Sequence, residues 1–338
     1  MADHIPTPDD ELAALLALDA LPADEQADAE LRVGTFPAGL VDVVAALAEA
    51  SAEEPPAQLR AQVLARALAR RPAGLRTGGV VACSPAEAYD RTVAEFGALL
   101  TSLSGAEWAA RAHGEHGTVR DLVAHLVGVE RLTVGWLDAS APPPVDPHVD
   151  HVTATRPVVD ELAGADGPAV AAQWRDAARS VAAQAAAQDP AAPASFHDVA
   201  TTVDGLLVIR TFELWAHWMD IALAVGRSMP ILDAPRMALL SATFMDVVPA
   251  AMAQRGEPAP RGTARFVLTG AAGSCYTVAL EAGQAVATEP DVTIVADVID
   301  ICRVAARRLD PEALDATIEG DAELGRAVLA RLDTLARD

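Results

Sequence analysis

Two polar residues four positions apart, Glu213 and His217, are the first candidates for chemistry in this sequence. They lie between Arg210 and Gly226, in R-T-F-E-L-W-A-H-W-M-D-I-A-L-A-V-G, whose apolar residues recur at helical spacing. Helical side chains four apart project from one face about 5–6 Å apart, so this carboxylate and imidazole can hold one metal ion. Asp220 can hydrogen-bond the second ring nitrogen of His217 and fix its tautomer. The stretch also fits an amphipathic helix with two solvated polar residues and a core histidine.

A second helix, predicted from Thr118 to Leu137, supplies another histidine. Thr118 can cap its N-terminus with Asp121 as the partner in a capping box, and His125 lies among apolar residues on or beside the buried face. One such histidine is more often a core residue, but unpaired buried polar groups are costly, and two helices carry them here. With Glu213 and His217, His125 completes two imidazoles and one carboxylate. That set is typical of catalytic zinc sites, which keep a fourth position open.

The segments T-V-R-D-L-V-A-H-L and E-L-W-A-H-W-M-D resemble the mycothiol-dependent maleylpyruvate isomerase family, within the DinB-like superfamily of four-helix proteins. The resemblance extends over roughly residues 85 to 338. It implies that His125, Glu213 and His217 bind zinc and that Asp220 matches a family aspartate. The family often has a tryptophan just before the first segment, where this chain has His116 and a glycine. We therefore expect a difference in the substrate pocket more than at the metal.

The implied chemistry depends on zinc and a thiol. A zinc ion held by two neutral imidazoles and one carboxylate keeps one net positive charge and lowers the pKa of a bound thiol. In the resembled family that thiol is mycothiol, which adds to a cis double bond conjugated to a ketone. The resemblance thus implies an isomerase or S-transferase that uses a low-molecular-weight thiol and a small, carboxylate-bearing substrate.

The pattern changes beyond Gly226. Strands are predicted at 264–269, 275–280 and 292–296, with helices at 232–254, 297–308 and 321–335, which indicates a separate α+β domain. The family resemblance implies that this domain is sterol-carrier-like and that an arginine from it reaches the active site. Arg307 is the first choice and Arg308 the second, to pair with a substrate carboxylate. An ordinary helix C-terminus would also place cations there.

Residues 1–78 resemble the N-terminal domain of zinc-containing anti-sigma factors. The zinc ligands of those proteins correspond to Arg32, Phe36 and Gly39, so we expect no metal in this segment. Two interpretations stay open: a helical appendage, or a degenerate module that binds a sigma factor. A linker rich in proline and glycine follows it.

The sequence therefore predicts a mainly α chain of three parts. These are the anti-sigma-like segment 1–78, a DinB-like four-helix bundle at 84–228 and the α+β domain at 229–338. The bundle helices are predicted at 85–104, 118–137, 157–188 and 210–226, and the loops between them hold His148, His151 and His197, of which we expect the first two to be exposed.

Composition limits the partners. The 338 residues carry a net charge of −23, which argues against nucleic acid and anionic membranes. No membrane helix or signal peptide is predicted, and the three scattered cysteines form neither a disulfide framework nor a zinc motif. We expect a cytoplasmic protein, and an Ala- and Arg-rich composition indicates a high-GC, actinobacterial source. Two alternatives to the isomerase remain: a regulatory protein that senses metal or thiol, and a metal-dependent biosynthetic enzyme with other chemistry.

Overall fold

The computed structural model describes residues 80–112, 115–138, 140–197, 199–253 and 259–335, all within one compact unit of the chain. The anti-sigma-like assignment of residues 1–78 lies outside the described residues. The described part is mainly α-helical, as predicted, and ends in a smaller region that contains a sheet.

The N-terminal part is a helical bundle. Its helices are α1 (Pro85–Ser102), α2 (Gly105–Trp108), α3 (Val119–Trp136), α4 (His151–Glu161), α5 (Gly167–Ala186) and α6 (Val203–Ala224). The four long helices α1, α3, α5 and α6 pack side by side, and α4 lies against α3. This agrees with the DinB-like four-helix bundle predicted from the sequence.

Local capping fixes where the helices begin. Ser84 caps α1 by accepting a hydrogen bond from the Glu87 amide, with proline at the first helical position. Thr118 and Asp121 form the predicted capping box of α3. Because α3 has a defined start, His125 lies two turns into the helix with its side chain buried.

Large side chains fill the bundle core. Phe96 of α1 contacts Trp174 of α5 edge to face, with ring centroids 4.9 Å apart, and both are fully buried. Leu122 of α3 and Leu214 of α6 belong to the same apolar cluster. Burial of side chains of this size contributes about 1.5–3 kcal/mol each, so packing rather than helix propensity stabilises the bundle.

Two sequence predictions between α3 and α6 were wrong. The single helix predicted at 157–188 is two helices, because Asp150 caps α4 and Asp166 caps α5 through side-chain bonds to amides of the first turn. The predicted loop at 189–202 contains a hairpin of β1 (Pro193–Phe196) and β2 (Val199–Thr202). The turn carries His197 with a positive φ of 52°, a conformation that the sequence did not indicate.

The C-terminal part combines helices with one sheet. Its elements are α7 (Ala234–Ala253), β3 (Thr263–Thr269), β4 (Cys275–Ala279), β5 (Val292–Asp297), α8 (Val298–Ala305), β6 (Thr317–Gly320) and α9 (Ala322–Leu329), with short 3₁₀ turns at Pro311–Ala313 and Leu332–Leu335. The sheet order is β4-β3-β5-β6, with β3 and β5 parallel and the other pairs antiparallel. The predicted strands and helices are present with small boundary changes, and β6 was not predicted.

Helix α6 belongs to both parts. Leu214 packs in the bundle core, whereas its neighbour Trp215 packs with α7, α8 and the sheet. Buried Arg236 of α7 adds a polar connection, because it donates to both oxygens of Glu95 and to Thr92 on α1. The helix that carries Glu213 and His217 is therefore held from two sides.

Helix α7 is long and apolar enough, by composition, to be a candidate membrane span. Half of that stretch is buried within the protein, where Met237, Leu240 and Val248 join the C-terminal core. This burial is that of a core helix, so the composition is weak evidence for a membrane span.

Candidate functional site

Four histidines and one glutamate gather where α3, α4 and α6 meet. In the described part of the chain, the side chains that could share a metal ion form two overlapping groups: His116, His125 and His217, and His125, His151 and Glu213. Within each group the potential ligand atoms lie within 4.8 Å of one another. His125 belongs to both groups.

The three predicted ligands are divided between these two groups, because Glu213 and His217 belong to different groups and share only His125. Glu213 Oε1 is 3.8 Å from His125 Nε2 and 4.0 Å from His217 Nε2. Ligand atoms of a tetrahedral zinc ion lie about 3.4 Å apart, given zinc–ligand distances near 2.0–2.2 Å. The Glu213 oxygen is therefore a few tenths of an ångström farther from each imidazole nitrogen than it would be around a bound zinc ion.

Thr155 of α4 fixes the tautomer of His125. The Thr155 hydroxyl lies 2.6 Å from His125 Nδ1 and 3.1 Å from the His151 carbonyl; when it donates to that carbonyl, it accepts from Nδ1. His125 Nε2 is then an unprotonated lone pair that points into the cluster. It is buried and has no hydrogen-bond partner among the described residues. Burial also lowers the pKa of His125 to about 3, so the ring is neutral at pH 7.

The approach of α4 to α3 depends on Gly128. A Cβ at this position would lie 2.9 Å from Thr155 Cβ, closer than real contacts allow. The absent side chain therefore lets Thr155 come near enough to bond His125, one turn earlier on α3.

His217 is oriented in a similar way. Its Nδ1 donates to Asp220 Oδ2 at 3.0 Å, which leaves Nε2 as the acceptor facing Glu213. Burial alone would raise the pKa of Asp220, but hydrogen bonds from His217 and Arg308 hold it below its usual value. Asp220 is therefore a carboxylate at neutral pH.

A buried chain of polar groups holds Glu213. Arg210 bonds Glu213 Oε2 on one side and Glu130 Oε1, at 3.0 Å, on the other. Tyr89 donates to the second oxygen of Glu130 at 2.9 Å. Burial would raise the pKa of Glu213, but the Arg210 guanidinium and His151 keep it well below its usual value. Glu213 is therefore ionised, with Oε1 directed at the histidines.

His151 contacts Glu213 but differs from His125 in its tautomer. Its Nε2 lies 3.0 Å from Glu213 Oε1, and a carboxylate only accepts, so this nitrogen carries the proton. Its Nδ1 then accepts from His197 Nε2 at 2.8 Å. The prediction that His151 is exposed was wrong, because it begins α4 and is 2% exposed; His148 is exposed as expected.

The two C-terminal arginines differ in position. Arg307 is exposed and has a positive φ of 58°. Arg308 donates from Nε and Nη2 to the two oxygens of Asp220, at 3.1 and 2.6 Å. Of the two residues considered from the sequence, Arg308 is the one that lies beside the histidine cluster.

A cavity of about 240 Å³ opens on one side of the cluster. His151, Glu213 and Arg308 border it, while α6 and α7 supply mostly apolar walls. Glu213 therefore lies between the histidines and a space that can hold a small molecule.

Comparison with known proteins finds a family model that matches the helical bundle. Residues 89–222 match the family model of the mycothiol maleylpyruvate isomerase N-terminal domain. No curated protein matches the sequence at a significant level.

Among solved structures, the chain is similar to a mycothiol-dependent maleylpyruvate isomerase and to a single-residue mutant of it. Identity is 14% in both cases, over 69% of this chain and 91% of the other, with TM-scores of 0.49 and 0.47. The family match spans the four clustered histidines and Glu213. Residues 89–222 thus belong to the family of mycothiol maleylpyruvate isomerase N-terminal domains.

Proposed function

We propose that this protein is a zinc-dependent isomerase or S-transferase that uses mycothiol, or a similar low-molecular-weight thiol, on a small substrate. The thiol-dependent isomerase part of the proposal is supported by the family match. The observation that carries the metal is His125 Nε2, a buried ring nitrogen without a hydrogen-bond partner among the described residues. A buried polar atom of this kind is costly unless something binds it.

The proposed zinc ligands are His125, Glu213 and His217. In both histidines Nδ1 is hydrogen-bonded, to the Thr155 hydroxyl in His125 and to the Asp220 carboxylate in His217. With the ring proton on Nδ1, each histidine directs an unprotonated Nε2 toward Glu213 Oε1. His151 instead presents a proton to Glu213 and so supports the carboxylate. His116 lies close enough to His125 and His217 to be a further ligand. A bound zinc ion would lower the pKa of a coordinated thiol, making thiolate available near neutral pH.

The protein side chains keep this site ordered. Arg210 and His151 hold the two oxygens of Glu213, so the carboxylate cannot rotate away from the histidines. The cavity beside Glu213 has a mostly apolar lining, and electrostatic interactions are stronger next to apolar walls than in bulk water. A substrate carbonyl or double bond would enter from this cavity.

The role predicted for an arginine of the C-terminal region is best assigned to Arg308. It reaches from the end of α8 to Asp220 on α6 and so fixes the partner of His217. Arg308 also borders the cavity, where a substrate carboxylate could approach it. Arg307 is exposed, and we propose no contact of it with substrate.

Several sequence predictions stay predictions. They are the three domain boundaries, the sterol-carrier-like character of the C-terminal part and the cytoplasmic location. The proposed sigma-factor contact depends on residues 1–78, outside the described residues.

A turnover assay on the purified full chain tests the proposed function. Zinc-loaded protein should isomerise a small substrate with a cis double bond conjugated to a ketone only when mycothiol is added, and chelation of the metal should abolish turnover. Turnover without any thiol would favour the metal-dependent alternative with other chemistry. Unchanged turnover after complete removal of metal would exclude zinc as the cofactor.

A further inference from the structure

The cavity beside Glu213 is polar at the end next to the histidine cluster and apolar along its sides. Its end at the histidine cluster is formed by Glu213 and His151. Its sides come from two helices: Ile209, Phe212 and Ala216 on α6, and Leu240, Phe244 and Val247 on α7. A molecule that reaches Glu213 must therefore lay the rest of its surface against hydrocarbon.

The cationic group at this cavity is already engaged. All three guanidinium nitrogens of Arg308 have protein acceptors: Nε and Nη2 bond Asp220, and Nη1 donates to the Ala306 carbonyl at 2.6 Å. Arg308 is the only arginine that lines the cavity among the described residues, and the chain contains no lysine. One substrate carboxylate could share the Arg308 charge, whereas a second would face apolar walls and the Glu213 carboxylate, at a large cost in desolvation.

We infer that the substrate has an apolar body: an aliphatic chain or a single aromatic ring attached to the reacting group, with at most one anionic group. This inference rests on the proposed function and names its substrate class. A cavity of about 150 Å³ lined by apolar side chains holds a benzene ring, so the space here, of about 240 Å³, suits roughly nine or ten non-hydrogen atoms. A compact dicarboxylate fits the volume but not the walls.

Direct binding to the zinc-loaded full chain tests the substrate class without any turnover. The probes are straight-chain monocarboxylates from acetate to decanoate, compared with succinate and maleate by calorimetry. Every probe presents a carboxylate to zinc or Arg308. The dependence of Kd on chain length therefore reports the contribution of the apolar walls to binding. We expect Kd to fall about fourfold for each added methylene until the cavity is full, and the dicarboxylates to bind no more tightly than acetate.

A paired substitution on α7 locates the effect. Thr243 lines the cavity, and Asp246 on the same helix is exposed and does not line it. Thr243→Trp should fill part of the cavity, so that Kd stops falling at a shorter chain length than in the unaltered protein. Asp246→Trp should leave the series unchanged. Zinc content equal to that of the unaltered chain will show that both variants keep the site.

The outcomes separate this inference from the proposed function. Affinity that does not depend on chain length, or dicarboxylates that bind as tightly as the best monocarboxylate, would overturn the apolar substrate class. If the length dependence holds but no thiol-dependent turnover is found, the isomerase proposal fails and the substrate class stands. If turnover is thiol-dependent and fastest with compact dicarboxylates, the isomerase proposal stands and the apolar substrate class fails.

Discussion

Arg308 and Asp220 form a two-pronged ion pair between the end of α8 and helix α6. Nε and Nη2 of the arginine lie 3.1 and 2.6 Å from the two carboxylate oxygens, and the same carboxylate accepts from His217 Nδ1. Both side chains are less than a tenth exposed. The orientation of a candidate metal ligand therefore depends on a residue 91 positions later in the chain.

The first prediction concerns this pair. Arg308→Lys keeps the charge but cannot bond both oxygens of Asp220, so His217 should be held less rigidly. We expect turnover to fall roughly 10–100-fold, the range for changes in residues that orient metal ligands, with zinc still bound at pH 7. The measurements are kcat, KM and zinc content. Arg307→Lys is the matched control, and an equal loss in that variant would contradict the assignment to Arg308.

The second prediction concerns the proposed ligands. His217→Ala removes one of three protein ligands and should reduce bound zinc from about one per chain to a small fraction, measured by elemental analysis after dialysis. His148→Ala, at an exposed histidine before α4, controls for the loss of an imidazole and should retain zinc. Full zinc content in His217→Ala would refute the ligand set.

The third prediction concerns the buried polar chain behind Glu213. Tyr89→Phe removes the donor to Glu130 Oε2 and leaves a fully buried carboxylate oxygen unsatisfied. The free energy of unfolding of the metal-free protein should fall by about 1–3 kcal/mol in denaturant titrations. Tyr276→Phe is the control, since the one hydrogen bond of the Tyr276 hydroxyl among the described residues is a long contact of 3.4 Å with Ser241. An equal loss of unfolding free energy in both variants would mean that the hydrogen bond from Tyr89 to Glu130 contributes no more to stability than the contact of Tyr276.

The fourth prediction concerns pH. Glu107 accepts from the Ser104 amide and hydroxyl and from Arg227, and these bonds lower its pKa from 4.5 to about 2. Because the folded pKa is the lower one, the stabilisation is complete above about pH 5 and is lost as the pH falls from 4.5 toward 2. In the metal-free state, the unaltered protein should have a higher Tm than Glu107→Gln at pH 5, and this difference in Tm should shrink between pH 5 and pH 3.

The control for the pH prediction is Glu289→Gln, which removes a negative charge at an exposed position. Its Tm difference should show no comparable change over the same interval. A difference for Glu107→Gln that stays constant from pH 5 to pH 3 would contradict the depressed pKa of Glu107.

The parts of the site that the sequence predicted depend on local signals. The helices that carry His125 and His217 have clear periodicity, and the capping box of Thr118 and Asp121 marks a helix start without any knowledge of the fold. The bond from His217 to Asp220 follows from a spacing of three residues on one helix. Each of these relationships lies within one element, where geometry fixes distance.

The parts that were missed depend on distant contacts. His151 follows a proline-rich loop, and its bond to Glu213 joins residues 62 positions apart. Arg210 lies three residues before Glu213, a spacing that could have indicated their ion pair, but its second partner, Glu130, is 80 positions away. The available local signal for His151 was Asp150, a helix-capping residue directly before it.

Gly128 gives the cluster a vulnerability that no ligand substitution would reveal. The nearest atoms to an added methyl group would belong to Thr155 and not to a candidate ligand. That group would push α4 outward and with it both Thr155, the partner of His125, and His151, the partner of Glu213. A chain with alanine at this position could retain every ligand and most of its helix content while losing affinity for metal. Libraries that vary α3 to alter activity should therefore leave this position unvaried.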